Sequence, residues 1–374
     1  MAREVFSLKG FQTAVASLAL GCLLFLLLLF PDSSMQGARD GLLLFGNSVL
    51  PALLPFFVLS SLLAQSGLFR SLGLAGRLLG LPFRLGGAAG SVLPLCLLTG
   101  APNSARLTAE LCRQGLMHEE EAARLLAAGV LTGPLFLNGT AGALLGSTAL
   151  GAFVYVVQLL CALLNGLLWR GYGKKGATPA PKRSGPAPSP FQTLPKALSD
   201  SCSAILLVGC AVCFFASLAR LLADLGFMDA LASALSGLFP RQAVSPLVSG
   251  ALEVSIGCKA VCLASLPLGL RLSLLCGLAG FGGFSILCQS ACFLQGIVPM
   301  RIYALQRLSH GTLCFILCRF SLLFVRGILP VWSPLAPLQT AELGPLAFGA
   351  YLLCALAGLL LRPRGGPSST SSRR

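Results

Sequence analysis

The chain has 374 residues, of which 55% are hydrophobic and only 10% charged, and its mean hydropathy is +0.84. These values exclude a soluble globular domain and describe a polytopic membrane protein. The net charge of +15 raises nucleic-acid binding, but the basic residues are spread along the connections between apolar runs with no aromatic or helical reading element beside them, which excludes it.

The first apolar run, Phe11 to Phe30, carries no charge and at about twenty residues can cross a hydrocarbon core of about 30 Å. It ends at Pro31 and Asp32 rather than at a small-residue cleavage site, so it reads as a span and not a signal peptide. Residues 1–40 form this N-terminal unit. The second unit, 41–171, is predicted to contain a full span (41–66), an amphipathic connection (68–84), an interrupted apolar segment (88–106), and two more apolar segments (125–145 and 148–169). Between them, 107–126 is predicted as one cytoplasmic amphipathic helix with Glu119 and Glu120 on its exposed face. Residues 172–196, rich in Pro, Gly, Ser and Lys, form a cytoplasmic linker. The third unit, 197–330, repeats the order of the second at 199–222, 226–240, 244–265, 270–295 and 308–330. Residues 331–374 add a final span near 345–361 and a basic tail.

Charge sets the orientation. Arg70, Arg77 and Arg84 occupy one connection without an acid; Arg170, Lys174, Lys175, Lys182, Arg183 and Lys196 occupy the linker; Arg362, Arg364, Arg373 and Arg374 close the chain. These segments and both termini face the cytoplasm, whereas 31–40 and 223–242, where Asp32, Asp40, Asp224 and Asp229 outweigh Arg39 and Arg241, are predicted as outward connections. Counting spans from this start makes the two units inverted repeats, with one interrupted segment entering from each side of the membrane. The fold class expected is therefore an all-α polytopic membrane protein built from two inverted-topology repeats with re-entrant, broken helices plus flanking spans. Most of the fifteen cysteines stand singly in apolar helices and act as small hydrophobes; the Cys210/Cys213 pair lacks the partners a metal site needs.

Two broken segments at matching places of inverted halves mark a transporter's central site. Non-helical backbone survives at membrane depth only where protein or a water-filled cavity satisfies its amides and carbonyls. In the stretch TGAPNSAR, Gly100 and Pro102 break the helix, Thr99, Asn103 and Ser104 offer hydrogen bonds, and a helix restarting near Asn103 turns its positive end to the break. In its counterpart, LEVSIGCKA, Gly257 is the expected breaker and Glu253, Ser255 and Lys259 are the polar groups. Superposing the breaks brings Arg106 and Lys259 to one midplane cavity, where a dicarboxylate would suit them; snorkelling at the helix end is the structural alternative for Arg106. Glu253 either neutralises Lys259 or Arg319 or serves as a coupling carboxylate. Arg319 lies well inside its predicted span. Two further breaks, GVLTGPLFLNGT and GLAGFGGFSILCQS, offer Asn138, Thr140, Ser285 and Gln289. The cavity expected from these residues takes a small anionic substrate, with a proton or sodium as coupling ion; no metal or cofactor is called for. Glu119, Glu120 and Arg124 spell the EExxxR of an intramembrane CAAX-type protease, but neither His118 nor His310 has the spacing that chemistry needs, so no enzymatic activity is expected.

The order of motifs resembles the YlbJ (SpoVV) family of sporulation integral membrane proteins, with nucleoside-recognition or gate domains. The resemblance spans nearly the whole chain and rests on NSVLPALLPFFVLSSLL (47–63), TGAPNSARLTAELCRQGLMHEEEAARLL (99–126), TGPLFLNGT (132–140), LEVSIGCK (252–259) and FGGFSILCQ (281–289). It implies movement of dipicolinic acid from the mother cell across the outer forespore membrane. A nucleoside or nucleobase carrier, and a membrane scaffold acting through the basic linker, are the rival expectations.

Overall fold

The computed structural model describes residues 2–65, 73–173, 190–234 and 240–325; the predicted C-terminal span and tail, Arg70 and most of the linker lie outside them. Every regular element among the described residues is helical. Helix α1 (Ala2–Leu29) is followed by α2 (Pro31–Gln65), so residues 31–40, predicted as a connection, are instead the first turns of the second span. Pro31 has the φ a first helical turn needs and Asp32 sits at the positive helix end, which together make a helix start of what composition alone presents as a loop. A π turn at Phe45–Val49 interrupts α2 without ending it.

Helices α3 (Gly73–Gly80) and α4 (Gly87–Thr99) form a hairpin bent by 78°. They touch backbone to backbone at Gly76 and Gly90, where a Cβ on either would collide with the other helix. The predicted helix 107–126 is two helices, α5 (Asn103–Arg113) and α6 (Glu119–Gly129). Gly115, at φ 68°, ends the first in a left-handed cap in which Leu116 N–H donates to Leu111 O at 2.9 Å. His118 Nδ1 then caps the second by accepting from Glu121 N–H at 3.1 Å. Glu119 is exposed as expected and Glu120 half-buried, but the rest of the run turns inward: Glu121 and Arg124 are buried, Glu121 accepting from Gly86 N–H at the hairpin bend and Arg124 donating to Tyr172 O at 2.8 Å. The first half closes with α7 (Leu135–Leu144) and α8 (Thr148–Trp169).

The second half runs in the same order: α9 (Pro190–Asp224), α10 (Phe227–Ala234), α11 (Arg241–Leu252), α12 (Val254–Leu263), α13 (Leu268–Phe281), α14 (Gly283–Leu294) and α15 (Met300–Val325). The leading helices are antiparallel, since Gly37 of α2 lies against Ser217 of α9 and Phe45 against Gly209. The closing helices are too: the Gln158 carbonyl of α8 meets His310 of α15, and Asn165 meets Gln306. The repeats are inverted as expected. Among the described residues four helices are long and apolar enough to cross a membrane, or five with the α3–α4 pair counted as one, and the exposed leucines and phenylalanines of α1, α2, α8 and α9 form lipid-facing sides.

Candidate functional site

Four chain breaks meet between the halves: Gly100–Pro102 between α4 and α5, Val130–Pro134 between α6 and α7, Glu253 between α11 and α12, and Gly282 between α13 and α14. Within each half they press together in pairs. A Cβ on Gly100, itself at φ 68°, would lie 2.6 Å from Gly133 N, and Ala101 N–H donates to Leu131 O at 2.8 Å. A Cβ on Gly257 would collide with the Gly250 backbone, and one on Gly283 would lie 2.7 Å from Gly250 O. Glycine at these points is a requirement of backbone approach.

The breaks enclose a cavity of about 60 Å³. Phe56, Phe136, Val208 and Val212 supply apolar wall; Thr99, Thr132, Glu253, Ser255, Gln289 and Arg307 supply the polar groups. Arg307 was not among the expected site residues, yet it holds the centre. From α15 it donates through Nε to Phe281 O at 3.0 Å, through Nη1 to Val130 O and through Nη2 to Ala279 O at 3.4 Å, so one guanidinium closes carbonyls freed at a break in each half. Its partners are dipoles, not carboxylates, and it therefore brings an uncompensated positive charge to the cavity wall. Thr132 hydroxyl adds a second tie across the halves, to Ala279 O at 2.8 Å, and Gln158, which accepts from Thr132 N–H at 3.1 Å, adds a third by donating through Nε2 to Cys276 O at 3.5 Å. The signal for Arg307 was present in the sequence as a polar stripe, Tyr303, Gln306, Arg307 and His310, one face of an otherwise apolar helix.

Of the expected residues, Thr99, Glu253, Ser255 and Gln289 line the cavity. Thr99 Oγ1 and Gln289 Oε1 are buried without a hydrogen-bond partner in the described structure, while the Gln289 amide nitrogen donates to the buried Ser285 hydroxyl at 2.9 Å. Gly100, Asn103, Ser104 and Arg106 build the break itself. Ser104 Oγ is within reach of Cys96 O at 3.0 Å, Gly100 O at 2.9 Å and Gly129 O at 3.3 Å. Asn103 Nδ2 donates to Ser60 Oγ at 3.0 Å, and its oxygen accepts from Arg106 Nε at 3.2 Å. Arg106 Nη2 donates to Phe57 O at 2.8 Å, with the guanidinium 5.1 Å from the Phe57 ring centre.

Four expectations are corrected. Lys259 is exposed and lines a separate groove, so it does not join Arg106 in one cavity: the two cations flank the centre from opposite sides. Glu253, buried to 1% exposure, pairs with neither Lys259 nor Arg319 among the described residues; its carboxylate caps α12, accepting from Ile256 N–H at 2.8 Å. Arg319 is exposed on α15 and lies outside the cavity. Asn138 and Thr140 lie outside the cavity on α7, where Asn138 backs against Gly151 of α8.

No protein-family model matches the chain, and no solved structure is similar to it. It is 30% identical over 332 residues to the sporulation integral membrane protein YlbJ of Bacillus subtilis (strain 168), which covers 82% of this chain and 79% of that relative. The chain belongs to the YlbJ family. The alignment is long enough to hold both repeats, so the membership applies to the multi-pass integral membrane architecture and not to an isolated segment of it.

Proposed function

We propose that this YlbJ-family protein carries dipicolinate from the mother cell across the outer forespore membrane. The sporulation role comes from the relative's description; the ligand class comes from the cavity. The observation that carries the reading is Arg307, a buried guanidinium held by carbonyls alone at the wall of a cavity formed by four broken helices. A flat aromatic dianion matches a fixed cation between the Phe56 and Phe136 side chains, with the Thr99 hydroxyl and the Gln289 amide as further hydrogen-bonding groups. At about 60 Å³ the cavity has room for a few waters, so carriage requires the breaks to part, as in carriers whose inverted repeats rock about a central site. Glu253 is the coupling group of this scheme: protonated, it leaves the site positive and able to hold a dianion; ionised, it cancels Arg307 and favours release. The chemistry is transport and involves no bond cleavage.

The test is uptake of labelled dipicolinate into proteoliposomes, with nucleosides and other dicarboxylates as competitors and with Thr99→Val and Gln289→Leu beside the native protein. Thr99→Val removes an oxygen without a partner, and Gln289→Leu removes another together with its bond to the Ser285 hydroxyl, a loss of about 1 kcal/mol that leaves the fold intact while binding weakens. Saturable uptake that nucleosides do not inhibit and that falls in both variants is the expected result. Uptake of nucleosides in place of dipicolinate, or dipicolinate uptake indifferent to both variants, overturns the reading.

A further inference from the structure

Each half places a cation in the helix that restarts after its break, Arg106 fourth in α5 and Lys259 sixth in α12, and the two cations meet different surroundings. The first set of neighbours is Phe57, Ser60 and Ser61 of α2, and the second is Ala216, Ala219, Arg220 and Ala223 of α9. Arg106 is locked onto the first set: it donates to Phe57 O, to Ser60 Oγ at 3.1 Å and to Ser61 Oγ at 3.5 Å. The second set carries no hydroxyl and brings a second cation, Arg220. Lys259 makes no ion pair among the described residues, and the hydroxyls that share its groove are those of Ser48 and Ser249. The groove around Lys259 has a volume of about 690 Å³, against about 60 Å³ for the central cavity.

Lys259, Arg220, Asp40, Asn47, Ser48 and Ser249 are the polar groups of this groove. Arg220 is already bonded to Asp224 at 2.9 Å, and Asp40 accepts from Gln36 at 3.0 Å. Lys259 has no carboxylate within 4 Å among the described residues, so it is the charge the groove leaves to an incoming group. A single helical turn separates the groove from the centre: Ile256 lines the groove, while Glu253, which accepts from the Ile256 N–H, and Ser255 line the cavity.

We propose that this groove is an anion-binding vestibule on the non-cytoplasmic side, where Lys259 and Arg220 hold a small multivalent anion next to the 253–256 turn. The identity of the anion as dipicolinate rests on the carrier reading above; the vestibule does not.

The test uses the native chain. Its lysines are Lys9, Lys174, Lys175, Lys182, Lys196 and Lys259, and all but the last belong to the N-terminus or the linker. A membrane-impermeant acylating reagent applied to sealed right-side-out vesicles should modify Lys259 and spare the others, with inside-out vesicles giving the reverse pattern. Mass spectrometry of the peptides reads both. Dipicolinate at about ten times its dissociation constant should slow Lys259 acylation about tenfold, and Arg220→Gln should weaken that protection. If Lys259 stays unmodified from outside while the linker lysines react from inside, the groove is closed and the proposal fails. If acylation proceeds but neither dipicolinate, citrate nor phosphate slows it, the groove is open but binds no anion, and the proposal fails again. Protection by citrate or phosphate without protection by dipicolinate keeps the vestibule and rejects dipicolinate as the cargo.

Discussion

The break between α4 and α5 and the break between α11 and α12 occupy equivalent places in the two halves and are held in different ways. At the first, the freed backbone is closed by many groups: the Ser104 hydroxyl reaches three carbonyls, Ala101 N–H pairs with Leu131 O, and Asn103 and Arg106 tie the restarted helix to α2. At the second, one carboxylate, Glu253, caps the restarted helix, and the cation beyond it is exposed. A break fixed by a network resists rearrangement, whereas a break fixed by one group whose charge can change is free to respond. In the carrier proposed above, this difference gives the first half a scaffold's part and the second half the moving part.

Removing the group common to both halves should have the largest effect. Arg307→Met leaves carbonyls of Val130, Ala279 and Phe281 without their donor, and at about 1–3 kcal/mol for each buried group left unsatisfied the loss should reach at least about 3 kcal/mol. Thermal unfolding in detergent would show it, and retention of native stability by Arg307→Met would mean that the halves are joined elsewhere. Next in size is Gly257→Ala, whose methyl would collide with the Gly250 backbone; overpacking against main chain should cost about 1–3 kcal/mol. The third sharpens the contrast between the breaks. Ser104→Ala should lower stability by about 1–2 kcal/mol with transport following stability, while Glu253→Gln, which keeps a capping acceptor, should change stability by under about 0.5 kcal/mol yet remove the pH dependence of uptake. Equal behaviour of the two variants would erase the distinction between scaffold and moving part.

The sequence carried the repeats, their inversion and the four segments that break, because glycine, proline and polar residues interrupt long apolar runs; in the third of these the break falls at Glu253 and not at the expected Gly257, which lies inside α12 against the Gly250 backbone. It misplaced groups whose role depends on which side of a helix they occupy. Lys259 stands six residues into a helix capped by Glu253, and the helical rotation between them turns the lysine to the groove while the carboxylate faces the cavity. Glu121 and Arg124 look like a solvated face by charge, and only the turn at Gly115–His118 rotates them inward against Gly86 and Tyr172. Arg307 falls just ahead of the predicted segment 308–330, whereas the helix begins at Met300 and its polar stripe is buried by α6 and α13.

The smallest effect separates depth in sequence from depth in structure. Arg319 and Arg307 belong to one helix, and Arg319 lies in its more apolar part, between Cys318 and Phe320. By hydropathy Arg319 is the more deeply set; by structure it is exposed and Arg307 is 2% exposed. An exposed charge outside the cavity makes no interaction whose loss leaves a buried group unpaired, so Arg319→Gln should change stability by under about 0.5 kcal/mol. Dipicolinate uptake should also stay at the native level. A fall in uptake as large as that of Thr99→Val would place Arg319 on the substrate's route and require a second path along the outer face of α15, away from the four breaks.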